Sequence, residues 1–214
     1  MLKLGFDGVR RVLCLGAHPD DIEIGCGGTV LRLAAEVPEV EVRWVVLSAD
    51  GERATEARAG AERFLEGVQR SAVTVASFRD AWFPAQFAEL KEFFRDLARE
   101  EAPDLVFTHR CEDAHQDHRA VGELTWQTFR AHTILEYEIP KYEGDLGHPN
   151  VFAALPRETC ARKVDGLIAA FPSQRARPWF TPETFWATLR LRGVESSSPT
   201  GFAEGLYGRK LVIA

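Results

Sequence analysis

No stretch of this chain approaches the roughly 18 consecutive apolar residues that a membrane-spanning helix needs, which argues against insertion into a bilayer. The opening residues, MLKLGFDGVRRVLCLGAH, lack the cationic start, apolar core and small-residue cleavage site of a secretory signal. Cysteine is sparse: Cys14, Cys26, Cys111 and Cys160 are scattered without C-x-x-C spacing, so neither a disulfide framework nor a thiolate metal site is indicated. A basic excess is missing as well. Lys and Arg total 26 against 32 Asp and Glu, a formal charge of -6, opposite in sign to the basic footprint of a nucleic-acid binder. Internal repeats and low-complexity tracts are absent. These absences together lead us to expect a cytoplasmic protein with no nucleic-acid partner and no membrane insertion.

What is present is an ordinary globular balance, 45% hydrophobic and 27% charged residues over 214 positions, enough for one domain with a core of its own. Short apolar runs alternate with helix-periodic stretches. Strands are expected at residues 11–16, 40–47, 72–78, 105–108 and 132–139, and helices at 29–36, 53–65, 86–100, 119–130 and 157–171. Strands separated by helices of ten to fifteen residues imply right-handed crossovers, hence an α/β fold: a Rossmann-like, doubly wound, mostly parallel sheet with helices on both faces. After Ile139 the pattern loosens into the turn-rich KYEGDLGHPN, and Pro178, Pro182 and Pro199 punctuate a segment holding Trp179, Phe180, Phe185 and Trp186. Residues 1–214 therefore read as a single domain in which 140–214 form an added C-terminal layer.

In open parallel sheets, ligands bind beyond the carboxyl ends of the strands. Two clusters of potential metal ligands fall there. Ala17 to Thr29 (AHPDDIEIGCGGT) carries His18, Asp20, Asp21 and Glu23, with Gly25, Gly27 and Gly28 read as loop residues that permit positive φ and close approach to a ligand. Thr108 to His118 (THRCEDAHQDH) carries His109, Asp113, His115, Asp117 and His118, and the three-residue spacing of His115 and His118 suits one face of a helical turn. Of the neighbours Asp20 and Asp21, one is expected to bind a metal while the other faces its open position. Two imidazoles and a carboxylate make a catalytic zinc set that leaves a fourth position for water. A nearby carboxylate is then placed to take the water proton, and a histidine to stabilise the oxyanion. Glu52 and Arg53 after the second strand, and Asp80 after the third, face the same rim and are candidate substrate contacts. The aromatic group Trp179, Phe180, Phe185 and Trp186, with Arg175 and Arg177 nearby, offers a platform for a sugar face and a partner for a phosphate.

These motifs resemble the LmbE-like or PIG-L-like metal-dependent de-N-acetylases, whose hallmarks are an N-terminal A-H-P-D-D-E or close variant and a later H-x-D-H. This chain reads Ala17-His18-Pro19-Asp20-Asp21-Ile22 and His115-Gln116-Asp117-His118, with Gly51-Glu52 matching the family's intervening Gly-Glu pair; the likeness runs from about residue 11 to about residue 130. The resemblance implies His18, Asp21 and His118 as ligands of Zn²⁺ or another divalent metal, Asp20 as general base, and His115 as the group that polarises the amide carbonyl. Asp117 would orient His115. Ile22 stands where the family often has Glu, and Glu23 follows one place later. The implied substrate is a small N-acetylated molecule, an amino sugar or its glycoside or nucleotide conjugate; a non-sugar acyl-amine is the alternative. Rivals of other classes are a dinucleotide-binding module, which would need the G-x-G-x-x-G that this chain lacks, a two-metal phosphoesterase, and a non-catalytic carbohydrate-binding protein. Association into a homo-oligomer is left open.

Overall fold

The computed structural model describes residues 5–100 and 102–212. Among them, seven strands form one sheet in the order β3-β2-β1-β4-β5-β7-β6. β1 (Arg11–Gly16), β2 (Glu41–Val46), β3 (Arg70–Val75), β4 (Leu105–His109) and β5 (Thr133–Tyr137) are mutually parallel. β7 (Ala203–Gly208) runs antiparallel to β5, and β6 (Val151–Ala154) runs antiparallel to β7 at the edge. The fold is the expected mostly parallel α/β sheet.

Both faces are covered because the central strands carry apolar side chains toward each side of the sheet. Val12 and Cys14 of β1 join Ile22, Trp44, Phe64 and Phe171 on the face carrying α1 (Asp21–Glu36), α2 (Gly51–Phe64), α5 (Arg157–Ala170) and α6 (Pro182–Glu195). Leu13 and Leu15 join Phe83, Leu90, Phe94 and Leu124 on the other, under α3 (Phe87–Glu100) and α4 (Gln116–Thr128).

Two expectations need correction. The first helix begins at Asp21, not at Thr29, so Gly25, Gly27 and Gly28 are helical. Their lack of a side chain serves packing: a Cβ would run into the Tyr137 ring at Gly25, the Phe64 ring at Gly27, and Leu155 and Glu204 at Gly28. Close packing outweighs the low helix propensity of glycine here. The second correction is that the C-terminal segment contributes β6 and β7, neither of which was expected. Each is short or glycine-containing, and each is specified by pairing to a neighbour rather than by its own pattern.

β1 lies between β2 and β4, where the strand order turns back. The loops after β1 and β4 therefore leave the sheet side by side, at the switch point where such folds bind ligands.

Candidate metal centre and active site

Asp20 takes the position before the first turn of α1 with φ of +93°, left-handed backbone that a non-glycine residue rarely adopts, and its side chain makes no capping bond. The turn directs Asp21 inward, where Oδ2 accepts from the backbone N–H of His18 at 2.6 Å and meets His109 Nε2 at 3.1 Å. Oδ1 of Asp21 stands 3.5 Å from His118 Nε2, Oδ2 stands 3.4 Å from His18 Nδ1, and the two imidazole nitrogens are 3.3 Å apart. The structure thus brings His18, Asp21 and His118 into one triangle.

The outer nitrogens of both rings face carboxylates. His118 Nδ1 is 3.1 Å from Asp113 Oδ2, and His18 Nε2 is 3.2 Å from Asp117 Oδ2 and 3.0 Å from Asp80 Oδ1. With the ring protons assigned to those bonds, the inner nitrogens present lone pairs to each other and to the Asp21 carboxylate. With both rings in that neutral form, three acceptors converge with no donor among them. Ligand atoms about 2.0–2.2 Å from a tetrahedral zinc stand about 3.3–3.6 Å apart, so the triangle fits such an ion in both size and chemistry. Carboxylates on the far side of ligating imidazoles are the usual second layer of such sites.

Asp117 is fully buried. Besides His18 it accepts from the N–H groups of Ala81 at 2.7 Å and Phe83 at 3.1 Å. Its carboxylate therefore orients His18, not His115 as expected; what reaches the His115 ring is the backbone N–H of Asp117, given to Nδ1 at 3.2 Å. That bond leaves Nε2 of a neutral His115 as a donor. Burial, reinforced by His118 and His18, lowers the His115 pKa and favours the neutral ring. For His18 and His118, burial disfavours the charged form, but the surrounding carboxylates outweigh it and raise both pKa values when no metal is present. Asp20 behaves oppositely to Asp21. Burial, aided by the Asp21 charge, pushes the Asp20 carboxyl up to about 7 against Arg53 and His18, whereas His118 and His109 overcome burial and pull Asp21 well below the carboxylate range.

A cavity of about 660 Å³ opens over these groups, with His18, Asp20, Asp21, His115 and His118 in its wall. Arg53 lines it, held by Pro19 O at 2.7 Å and Glu56 at 2.8 Å, and Asp80 lines it beside His18. Glu52 does not: it is exposed on the first turn of α2 and is not among the lining residues. Of the four C-terminal aromatics only Trp179 faces the cavity. Phe180 and Phe185 are core, and Trp186 packs on Phe202. Arg177 lines the cavity, while Arg175 is spent on Ile168 O. Lys141 and Tyr142, in the loop after β5, are lining residues that sequence reasoning missed; their place beyond a parallel strand was the available signal. His109, fully buried, stacks on His118 with ring centres 3.9 Å apart and braces Asp21 from below.

The 1D-myo-inositol 2-acetamido-2-deoxy-alpha-D-glucopyranoside deacetylase of Rhodococcus erythropolis is 29% identical over 191 residues, 87% of this chain; the chain spans 63% of that relative's length. Among solved structures, the N,N'-diacetylchitobiose deacetylase of Pyrococcus horikoshii superposes with a TM-score of 0.71 at 20% identity, covering 95% of this chain and 85% of that one. A 4-carboxy-2-hydroxymuconate hydratase from Pseudomonas putida matches equally well, with a TM-score of 0.71 at 18% identity over 96% of this chain and 98% of that one. Likeness at this level establishes the fold and does not choose a reaction. The family profile described as GlcNAc-PI de-N-acetylase (PIG-L) matches residues 13–129, the span that holds both histidine–aspartate clusters, and the chain belongs to that family.

Proposed function

We propose that this protein is a metal-dependent N-deacetylase that frees acetate from the amide nitrogen of an amino sugar carried in a glycoside or nucleotide conjugate. The observation that carries this reading is the triangle of His18 Nδ1, His118 Nε2 and the Asp21 carboxylate, with sides of 3.3–3.5 Å, in the wall of an open cavity beside Asp20 and His115. His18, Asp21 and His118 would hold the ion, and Zn²⁺ matches two imidazoles and a carboxylate with a fourth position open. Such an ion supplies positive charge that polarises an amide carbonyl and makes water a stronger acid.

The remaining chemistry falls to the chain. Asp20 takes the proton of the attacking water as the oxygen bonds to the acetyl carbon. It returns that proton to the nitrogen as the C–N bond breaks, leaving the free amine and acetic acid, which gives its proton to solvent or to the amine and leaves as acetate. His115 donates from Nε2 to the carbonyl oxygen as negative charge gathers there, a task suited to a neutral ring with its other nitrogen already bonded. Arg53 and Asp80, which line the cavity, would meet sugar hydroxyls, and Trp179 a ring face. The family description, the acetamido-glucopyranoside of the Rhodococcus relative and the diacetylchitobiose of the Pyrococcus structure all contain an acetylated glucosamine, which supports the sugar.

Incubating zinc-loaded protein with N-acetylated sugars, their inositol and nucleotide conjugates, and acyl-amino acids, and assaying acetate, tests the reading. Release from an acetylamino-sugar, abolished by chelation and restored by metal, is expected. Release from acyl-amino acids alone would overturn the substrate class, and no release from any amide would overturn the activity.

A further inference from the structure

The two ligating imidazoles are braced in different ways. Asp117, behind His18, is held by two backbone N–H groups, and among the described residues no lysine or arginine pairs with it. Asp113, behind His118, meets a cation: Lys141 Nζ lies 3.0 Å from Asp113 Oδ2, the same oxygen that faces His118 Nδ1 at 3.1 Å. Asp113 is 2% exposed and the Lys141 side chain 8%, so little water screens the pair. Asp145 Oδ1 fixes the ammonium from the other side at 2.6 Å, while Asp145 Oδ2 accepts from Ala114 N at 2.7 Å, tying the loop after β5 to the loop after β4. Asp113 Oδ1 accepts from His115 N at 2.7 Å. One carboxylate thus supports both the metal ligand and the residue proposed to steady the oxyanion.

A carboxylate bonded to the outer nitrogen of a ligating histidine strengthens that histidine as a donor. An ammonium on the same oxygen draws its charge away and weakens the effect. The ammonium is also a positive charge beside a site for a divalent cation, which raises the cost of binding one. With Lys141 present, moreover, Asp113 is neutralised before any metal arrives; without it, the buried carboxylate would gain most from an incoming cation. All three effects have the same sign.

We propose that Lys141 is a positioning residue that holds metal affinity below what His18, Asp21 and His118 would give alone, by sharing the carboxylate oxygen of Asp113 with His118. The proposal rests on the metal reading above, and it runs against the result expected of a purely structural lysine. Loss of a loop support loosens a site and weakens metal binding; loss of a competing cation tightens it.

The test is Zn²⁺ affinity, measured by competition with a chromophoric chelator on the metal-free full chain. Lys141→Met should bind Zn²⁺ about tenfold more tightly than the wild type, within the range that changes to such supporting groups produce. Lys141→Arg, which keeps the charge, should stay close to wild type. Lys141→Gln, also neutral, carries the same expectation as the methionine variant and guards against a defect peculiar to it. Equal or weaker binding in the neutral variants, or failure of both to fold, would overturn the proposal and leave Lys141 a loop support. Absence of Zn²⁺ binding by the wild type would instead overturn the metal reading, so the two failures are told apart.

Discussion

The parallel half of the sheet and its antiparallel extension use charged residues for opposite ends. From β1 to β4 every strand runs to the same rim, and the loop or helix start beyond it delivers a polar group to the cavity: His18 to Asp21 after β1, Arg53 after β2, Asp80 after β3, and His115 and His118 after β4. In the extension the charges turn inward. Glu204 of β7 accepts from Gly28 N at 2.8 Å and Thr29 N at 2.7 Å, and Lys163 of α5 donates to Ile24 O at 2.6 Å and to Glu204. This buried pair clasps the backbone of α1, whose first turn carries Asp21, at a step where an inserted side chain can bend a helix. Ser173 ties the segment after α5 to Glu56 of α2, and Glu56 in turn holds Arg53. One half presents chemistry and the other fixes where it sits.

Substitutions in the two halves should therefore differ in consequence, chemistry being lost in one and stability in the other. His118→Ala should lose the metal and reduce acetate release to background. His115→Ala should keep the metal and lower kcat by roughly 10²–10³ with a smaller change in KM, as removal of an oxyanion donor does. Metal content beside steady-state kinetics separates them, and equal metal loss in both variants would count against the donor role of His115.

In the extension, Glu204→Ala strands a buried ammonium and two helix amides, so a loss of ~3–5 kcal/mol in urea unfolding is expected. The fraction that stays folded should keep its Asp20 and His115 chemistry. The double variant Lys163→Met/Glu204→Gln, which removes the charged pair together, should recover part of the lost stability. A double variant no more stable than Glu204→Ala would contradict the view that the cost comes from the unpaired charge.

A smaller effect sharpens the contrast between the neighbouring aspartates. Asp20, raised from 3.8 to about 7 by burial, keeps its proton in the folded metal-free chain where the unfolded chain has released it. Its contribution to stability is therefore full below about pH 4 and is lost as pH rises through about 7. Asp20→Asn, uncharged throughout, should flatten this decline in urea melts of metal-free protein from about pH 4 to about pH 8. A difference between wild type and variant that is constant with pH would contradict the assignment.

Sequence alone made the two histidine–aspartate clusters and five parallel strands legible, because both are local: His18 to Asp21 and His115 to His118 are short runs behind apolar strands. What it hid depends on distant partners. Gly25, Gly27 and Gly28 read as loop residues, although they lie in a helix whose neighbours Tyr137, Phe64, Leu155 and Glu204 leave no room for a side chain. Asp117 carried no mark of which histidine it serves, since that is decided by a loop 34 to 36 residues earlier that closes over it. Lys141 sat in a turn-rich stretch with no pattern of its own, and its meaning appears only through Asp113, 28 residues away.

In the proposed reaction the adjacent carboxylates divide the work, Asp21 holding the metal and Asp20 handling the proton. Zinc titration of the metal-free Asp20→Asn and Asp21→Asn variants, followed by an acetate-release assay of each, tests it most directly. Asp20→Asn should bind one Zn²⁺ with near wild-type affinity yet lose about 10²–10⁴-fold in kcat, while Asp21→Asn should fail to retain the ion. A metal-free Asp20→Asn beside a metal-loaded Asp21→Asn would contradict it.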